Sequence, residues 1–187
     1  MIFIIKRIWL LILCFVISIH HNTCLTSDET VTSGNSYSLM IKNISDIVPT
    51  RLFLPSHLML SIYDSTNVGY CRQEIEVLWS DENIVTQSGI FNVTQNNHIM
   101  VVRSRNSGNI CGCIRFGINQ NDGHGQIYQL AVKSEMRGRG IGKFLMTEAE
   151  EFCVQGFRCK EMELIVRDNN LVARELYNKL GFVKIVI

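Results

Sequence analysis

The second half of the chain shows two successive patterns of apolar and polar positions. Apolar runs separated by turns rich in Asn, Asp and Gly come first, and this pattern predicts consecutive antiparallel strands that begin with a hairpin. The predicted strands are His98–Ser104, Asn109–Ile118 and Gln126–Val132. This part of the chain therefore supplies three neighbouring strands of one sheet.

Helical spacing follows these strands. From Ile141 to Gln155 apolar residues recur every three or four positions, which predicts an amphipathic helix that Gly156 ends. Alternation over Met162–Arg167 predicts another strand, and the apolar positions from Ala173 to Leu180 predict a last helix. The order of antiparallel strands, then strand, helix, strand and helix, makes the fold class α/β with a mixed central sheet.

The part of the chain before residue 97 is less regular. The run Tyr37–Lys42 predicts a first strand, and Glu74–Trp79 predicts a short helix. Two prolines between these elements predict short pieces in place of a long helix. Residues 25–36 are rich in Ser, Thr, Asp and Gly and predict a linker, so the folded domain is expected over residues 37–187.

An apolar leader opens the chain. Ile8–Ile19 is nearly all apolar and follows Lys6 and Arg7, which is the order of a secretory signal. A helix needs about 20 apolar residues to cross a bilayer, so residues 1–24 predict a signal peptide, with a signal anchor as the alternative. The expected location is the secretory pathway or a membrane-bounded organelle, or the cytoplasm if the leader does not function. Membrane contact is expected only through this leader.

Composition excludes some partners. The net charge is +1, from 18 basic and 17 acidic residues spread along the chain, so no nucleic-acid partner is expected. No metal site is expected either. In an oxidising lumen the five cysteines beyond Cys24 would leave one unpaired thiol. Cys111 and Cys113 are two apart in a predicted strand, so both are expected on one face as small buried apolar groups.

A glycine-rich loop precedes the first long helix. Gly138, Gly140 and Gly142 lack the β-carbons that would hold a phosphate away from the backbone, and the helix N-terminus supplies unpaired N–H groups. Basic side chains flank the glycines, at Arg137, Arg139 and Lys143. The loop therefore predicts a diphosphate cradle, and a glycine-rich turn without a ligand is the alternative.

Two motifs in order carry a family resemblance. The first is Leu130-Ala131-Val132, four residues, then Arg137-Gly138-Arg139-Gly140-Ile141-Gly142; the second is Val166-Arg167-Asp168-Asn169-Asn170, then Ala173, Leu176-Tyr177 and Leu180-Gly181-Phe182. Together they resemble the GNAT superfamily of acetyl-CoA-dependent N-acetyltransferases. The run LIVRDNNLVARELYNKLGF is similar to that of protein N-terminal acetyltransferases, including those that act on ribosomal proteins.

The resemblance implies a GNAT-like sheet whose two central strands splay apart around the pantetheine arm of acetyl-CoA. It assigns the arm to the backbone of the segment Leu130-Ala131-Val132 and to Asn170. It assigns the pyrophosphate to the loop from Arg137 to Lys143, which includes Ile141. Asn170 also suits the N-cap of the last helix. Tyr177 matches the tyrosine that protonates the departing thiolate, and its alternative role is an aromatic of the core.

Two departures from the family pattern stand out. Where the ribosomal-type enzymes carry a glutamate, this chain has Ile165, so the general base is not assigned. Glu163 lies on the same strand face but about 6.6 Å further along the strand, too far to replace it. Tyr128, His124 and a water chain remain as candidates. The family also continues into a further strand beyond the five residues that follow Phe182 here. A shortened gene model, an upstream segment or partner that completes the sheet, or cofactor binding without turnover would each account for this.

The expected function is acetyl transfer from acetyl-CoA to a primary amine by direct attack in a ternary complex. A protein N-terminus is the favoured acceptor, with lysine or a small amine as the others. A catalytically degenerate acetyl-CoA-binding module is the alternative, and a secreted interaction protein without a cofactor is a third hypothesis.

Overall fold

The computed structural model describes residues 36–45, 52–63, 72–81 and 97–185. Its elements are β1 (Tyr37–Asn43), β2 (Leu58–Tyr63), α1 (Arg72–Asp81), β3 (Asn97–Ser104), β4 (Ile110–Ile118), β5 (Gly125–Val132), α2 (Ile141–Phe157), β6 (Glu161–Arg167), α3 (Leu171–Lys179) and β7 (Val183–Lys184). The predicted leader and nearly all of the predicted linker lie outside the described residues. No described helix is long and apolar enough to cross a membrane.

All seven strands form one sheet in the order β2-β3-β4-β5-β6-β1-β7. Strands β5 and β6 run parallel, and every other neighbouring pair is antiparallel. The predicted α/β class with a mixed sheet is therefore confirmed, as are the three consecutive antiparallel strands β3, β4 and β5. The parallel pair is joined through α2, the crossover that parallel strands require.

Helices cover the sheet on both faces. Apolar residues alternate along β3, so that Ile99 and Val101 pack with Trp79 of α1, whereas Met100 and Val102 belong to the larger core. That larger core contains α2 and α3. We call the two sides of the sheet the α1 face and the α2 face. The largest buried side chains, Trp79 included, are divided between them.

The first strand does not lie beside the second. Strand β1 lies between β6 and β7 and pairs antiparallel with both, with Tyr37 opposite Arg167 and Ile41 opposite Val183. The two-residue β7 lies within the five residues that follow Phe182, and the upstream strand β1 occupies the place beside β6.

One strand was not predicted, and two local expectations were wrong. Strand β2 was not predicted, because it lies at the sheet edge and its sequence does not alternate. Helix α2 does not end at Gly156 but continues to Phe157, and Arg158 adopts the left-handed cap conformation (φ 55°). Cys111 and Cys113 do not share a face. The register of β3 and β4 shifts at Arg103, so Cys111 is an extra residue that turns to the α2 face while Cys113 packs on the α1 face.

A buried ion pair ties β1 to α2. Lys42 donates to Oε2 of Glu150 at 2.7 Å, and the two side chains are 17% and 3% exposed. Burial raises the pKa of Glu150, although the hydrogen bond from Lys42 acts in the opposite direction. Because a buried carboxylate is costly without its partner, this pair fixes where β1 crosses the helix.

The other end of β1 is held by Asp168, which follows β6. Its side chain accepts a hydrogen bond from Ser38 of β1, its backbone amide donates to the carbonyl of Ser36 at 2.9 Å, and Lys184 of β7 lies 3.7 Å from Oδ1. The bond from Ser38 is the main cause of the lowered pKa of Asp168. Both ends of β1 are therefore attached to elements much later in the chain.

We expect Lys42→Met to lower the free energy of unfolding by about 3 kcal/mol, because the carboxylate of Glu150 would stay buried without its partner. Lys42→Met combined with Glu150→Leu should recover most of this loss. The measurement is chemical denaturation followed by circular dichroism. Lys179→Met is the control: its pair with Glu175 is exposed, so the loss should stay below about 0.5 kcal/mol. Equal losses for Lys42→Met and Lys179→Met would contradict the role given to the buried pair.

Candidate functional site

A gap opens between the two parallel strands at the centre of the sheet. Strands β5 and β6 pair only where Gly125–Ile127 lies opposite Met162–Leu164, and their register ends there. Beyond this point no register joins residues 128–132 to residues 165–167, and we call this separation of the two strands the gap. The gap lies where the resemblance to the GNAT family implied a splay.

Helices α2 and α3 close one side of this gap. A β-carbon added at Gly142, in the first turn of α2, would lie 3.4 Å from Leu176 of α3 and 3.7 Å from Val132 of β5. These are ordinary contact distances, so Gly142 lies where the start of α2, α3 and the end of β5 pack together.

The glycine loop enters α2 without a side-chain cap. Gly138 and Gly140 have φ values of 72° and 79°, a region that favours glycine, and an added β-carbon at either would meet nothing within 4 Å. Gly140 is the N-cap residue and has no side chain that could cap the first turn of the helix. Space, amide donors and the positive end of the helix dipole thus coincide at the position predicted for a diphosphate.

The basic residues of the loop have different roles. Arg137 donates through Nε to the carbonyl of Val132 at 3.1 Å, which attaches the loop to the end of β5. Arg139 and Lys143 are exposed beside the glycines. Ile141, which the resemblance also placed in the cradle, has a buried side chain and can contribute only its backbone. The residues present therefore fit a diphosphate group.

The segment predicted to follow the pantetheine arm borders the gap. Leu130 and Val132 are half-buried on the α2 face, and Ala131 is buried on the α1 face against the core that contains α1. Because Nε of Arg137 already donates to the carbonyl of Val132, the backbone groups of Leu130 are the more open of the two. The resemblance did not distinguish them.

Asn170 caps α3. Its side-chain oxygen accepts from the amide of Ala173 at 3.1 Å, so the N-cap role considered for it is present. This bond uses Oδ1, and the Nδ2 group is a separate donor on the same side chain. Asn170 lies at the start of the helix that closes the gap, and both roles suggested by the sequence fit this position.

Tyr177 is buried in the larger core, on the α2 face of the sheet. It is 8% exposed, and its ring centroid lies 6.0 Å from that of Phe182. Burial alone raises the pKa of Tyr177 to about 12, because the phenolate would lose its hydration. The phenol is therefore fully protonated at neutral pH. Packing and proton donation are both compatible with this environment.

The three side chains considered as general base lie at different places. His124 precedes β5 at the closed end of the gap, where its Nδ1 lies 3.2 Å from Glu161. Glu163 is 3% exposed and lies on β6 within the paired part of the two strands. Tyr128 is the first residue of β5 beyond that pairing and is 36% exposed. Of the three, Tyr128 is therefore the one at the apex of the gap, which is the point where β5 and β6 separate.

A β-bulge at this apex was missed in the sequence. Arg115 lies opposite Gln129 and Phe116 opposite Ile127, so Tyr128 is an extra residue of β5 that leaves the register with β4. The guanidinium of Arg115 lies 4.8 Å from the ring centroid of Tyr128. No signal in a single sequence marks such a bulge, because the strand keeps its composition.

Gly112 is a second residue that sequence reasoning missed. A β-carbon there would lie 2.9 Å from the carbonyl oxygen of Ala131 and 3.1 Å from the side chain of Ile141. Glycine at this position in β4 therefore lets the end of β5 and the first residue of α2 approach the sheet. An isolated glycine in a strand pattern is the signal that could have found it.

Other features near the loop do not belong to the gap. A cavity of about 260 Å³ lies between the loop and the β3–β4 turn and is lined in part by Ser104, Lys133 and Arg139. None of the residues that line this cavity belongs to the gap. Across the residues that the structure describes, no group of three or more His, Cys, Asp or Glu side chains could hold a metal ion.

Comparison with known proteins covers most of the domain. The sequence model described as the acetyltransferase (GNAT) family matches residues 59–182. An uncharacterized N-acetyltransferase of Methanocaldococcus jannaschii is 40% identical over 60 residues, which are 32% of this chain and 38% of that protein. The chain thus spans well under half the length of this curated relative.

Solved structures share the fold. A tandem GNAT protein from the clavulanic acid biosynthesis pathway has a TM-score of 0.66 at 12% identity, over 82% of this chain and 51% of that chain. An aminoglycoside acetyltransferase from an uncultured soil metagenomic sample has a TM-score of 0.57 at 17% identity, over 71% of this chain and 94% of that chain. At these identities the likeness is one of fold alone.

We expect Gly140→Asp to abolish coenzyme A binding, because a carboxylate would stand where the backbone should meet phosphate. Isothermal titration with coenzyme A measures this. Gly123→Asp is the matched control: Gly123 has a φ of 73° and also no neighbour within 4 Å, so its strain is similar but it lies in the β4–β5 turn. It should keep the affinity of the native protein. Unchanged affinity in Gly140→Asp would refute the cradle.

Proposed function

Because the chain belongs to the GNAT acetyltransferase family, we propose that it transfers an acetyl group from acetyl-CoA to a primary amine. The observation that carries this proposal is the gap between β5 and β6, which has an uncapped glycine loop at one end, together with a tyrosine buried on the α2 face. The amine attacks directly while both substrates are bound. A protein N-terminus is the favoured acceptor.

The loop and the gap bind different parts of acetyl-CoA. Amides around Gly138 and Gly140, with the cations of Arg139 and Lys143, hold the diphosphate. The backbone of Leu130 and the Nδ2 group of Asn170 hydrogen-bond the pantetheine arm within the gap. Arg137 supports the loop through its bond to β5 more than it contacts phosphate. This arrangement directs the thioester toward the apex.

The bulge marks that apex. Tyr128 leaves the register with β4 at the same point where its strand stops pairing with β6. The thioester of bound acetyl-CoA would therefore reach the sheet beside Tyr128.

Tyr177 provides the proton for the departing thiolate. With a pKa raised to about 12, its hydroxyl stays protonated across the physiological range, and burial keeps it in place on the α2 face. The amine must lose its proton on the other side. We assign that step to water held near the Tyr128 hydroxyl, since Ile165 replaces the glutamate of the ribosomal-type enzymes.

The surface that β6 and β1 present on the α1 face favours a peptide acceptor. Two apolar side chains are exposed there, Ile165 of β6 at 44% and Tyr37 of β1 at 39%, and the guanidinium of Arg167 lies 6.0 Å from the ring centroid of Tyr37. Leu39 lies opposite Ile165 in the register and extends the same surface. A polyamine would gain little from such a surface, whereas the first side chain of a protein N-terminus could bury apolar area there.

A catalytically degenerate acetyl-CoA-binding module is the second candidate. Ile165 favours it, because the residue that the ribosomal-type enzymes use as base is absent. Such a module would bind coenzyme A through the same loop without turnover.

We also propose that residues 1–24 direct the chain into the secretory pathway or another membrane-bounded compartment. The charged pair followed by a short apolar run supports this. The first described element begins at Tyr37, so removal of the leader would leave the described fold whole. An enzyme placed there would depend on imported acetyl-CoA.

Turnover against an amine panel tests the activity. Peptides that vary in their first residue, a lysine peptide with a blocked N-terminus and spermidine would be compared by release of coenzyme A. We expect peptides with an apolar first residue to be preferred. Tyr177→Phe should keep cofactor affinity and lower turnover roughly 10²-fold, the usual value of a positioned acid.

Each outcome separates the hypotheses. Coenzyme A binding without turnover of any amine would favour the degenerate module. Joint loss of stability and binding in Tyr177→Phe would make the tyrosine structural, and unchanged turnover would mean that solvent protonates the thiolate. A thermal-shift titration of the native protein with coenzyme A supplies the reference affinity.

The leader is tested by expressing the chain with and without residues 1–24, followed by cell fractionation. We expect only the form with the leader to enter membrane-bounded fractions and to resist added protease until detergent is present. Identical cytosolic behaviour of both forms would exclude the proposed route.

A further inference from the structure

Two cysteines outside the proposed catalytic machinery lie together at the end of the crossover helix. Cys153 is in the last turns of α2, and Cys159 follows the helix just before β6 begins. Both are free thiols, and they are 0% and 3% exposed. The sequence suggested no pairing for either of them, because they are six positions apart in different elements.

The helix cap brings the two residues close. Arg158 adopts a left-handed conformation, and the backbone amide of Cys159 then donates to the carbonyl of Cys153 at 3.2 Å. With standard bond lengths on either side, this bond holds the two Cα atoms within about 7 Å of each other, inside the range that disulfides span. The thiol of Cys153 is also hydrogen-bonded to the sulfur of Cys159.

We propose that Cys153 and Cys159 form an intramolecular disulfide that fastens the end of α2 to the start of β6. Glutathione disulfide, or another small disulfide, is the oxidant. The thiolate of Cys159 attacks one sulfur of glutathione disulfide and releases one glutathione thiolate. The thiolate of Cys153 then attacks the sulfur of Cys159 and releases the second. Two protein thiols are oxidised, one glutathione disulfide becomes two glutathiones, and the two protons pass to the released thiolates.

The order of attack follows from the local contacts. Burial raises the pKa of both thiols, which protects them in the folded state. At Cys159 the hydrogen bond from Cys153 acts against burial and favours the thiolate. Cys159 also lies beyond the last turn of the helix, where fraying gives the easier access. The first attack is therefore assigned to Cys159.

The position of the pair gives the bond a structural consequence. A β-carbon added at Gly125, the first residue of β5, would lie 3.2 Å from the sulfur of Cys153. Gly125 is also where β5 first pairs with β6, opposite Met162. The disulfide would therefore lie at the closed end of the gap and hold together the connection between its two strands. It would stabilise the domain whether or not the chain is an active enzyme.

The full chain would be equilibrated in glutathione buffers from reducing to oxidising, and free thiols would then be blocked in denaturant with N-ethylmaleimide. Trypsin cuts after Arg158, so residues 144–158 and residues 159–160 fall in separate peptides. We expect these two peptides to be joined under oxidising conditions and separated by dithiothreitol. The oxidised protein should melt several degrees higher than the reduced protein.

Matched variants test which two cysteines form the disulfide. Cys111→Ser removes another buried thiol and should leave the linked peptide in place. Cys153→Ser and Cys159→Ser should both lose it and lose the effect of dithiothreitol on melting; Cys159→Val serves if the serine variants do not fold. The proposal is overturned if both native peptides carry N-ethylmaleimide at the most oxidising poise, or if either cysteine is joined to a different partner. In that case the two thiols serve only as the apolar contact of the helix cap.

Discussion

The structure depends on one constraint: β5 and β6 are neighbours that share backbone pairs over only three residues each. Backbone groups inside a protein need partners, so two strands can separate in the middle of a sheet only if each is held from its other side. Strand β5 is held by β4. Strand β6 is held along its whole length by β1, from Glu161 opposite Asn43 to Arg167 opposite Tyr37. The gap therefore exists because β1 supports β6, and the attachments at Lys42 and Asp168 keep β1 in place.

Local patterns in the sequence were enough to predict nearly all of the elements but not their neighbours. The alternation in β3, β4 and β6 and the helical spacing of α2 depend on contacts that a short window of residues records. The place of β1 between β6 and β7 depends on residues more than a hundred positions away, which no window contains. Strand β2 was not predicted for a different reason: an edge strand buries few side chains, so its sequence shows little alternation of apolar and polar residues. The reversal of Cys111 follows from a single extra residue in β4.

Some features of the site could also be predicted from the sequence, and others could not. The glycine loop could be predicted because positive φ values and an uncapped helix start restrict the residue types themselves. The packing of Leu176 of α3 near Gly142 could not be predicted, because it joins two different elements. The same holds for the bulge at Tyr128, which is defined only by the register with β4. The sequence therefore predicts the phosphate-binding loop better than it predicts the backbone geometry at the apex of the gap.

The pairing of the first strand with the last ones also sets an order of assembly. Ser38 and Asp168, which are hydrogen-bonded in the fold, are 130 positions apart. During synthesis the N-terminal strand emerges first and has no partner until β6 has been made, so loop closure over almost the whole domain comes last. Until then an unpaired strand and an open sheet edge are available to other chains, which makes the nascent protein dependent on protection from aggregation. The gap between β5 and β6 can therefore form only after β6 has been synthesised and has paired with β1.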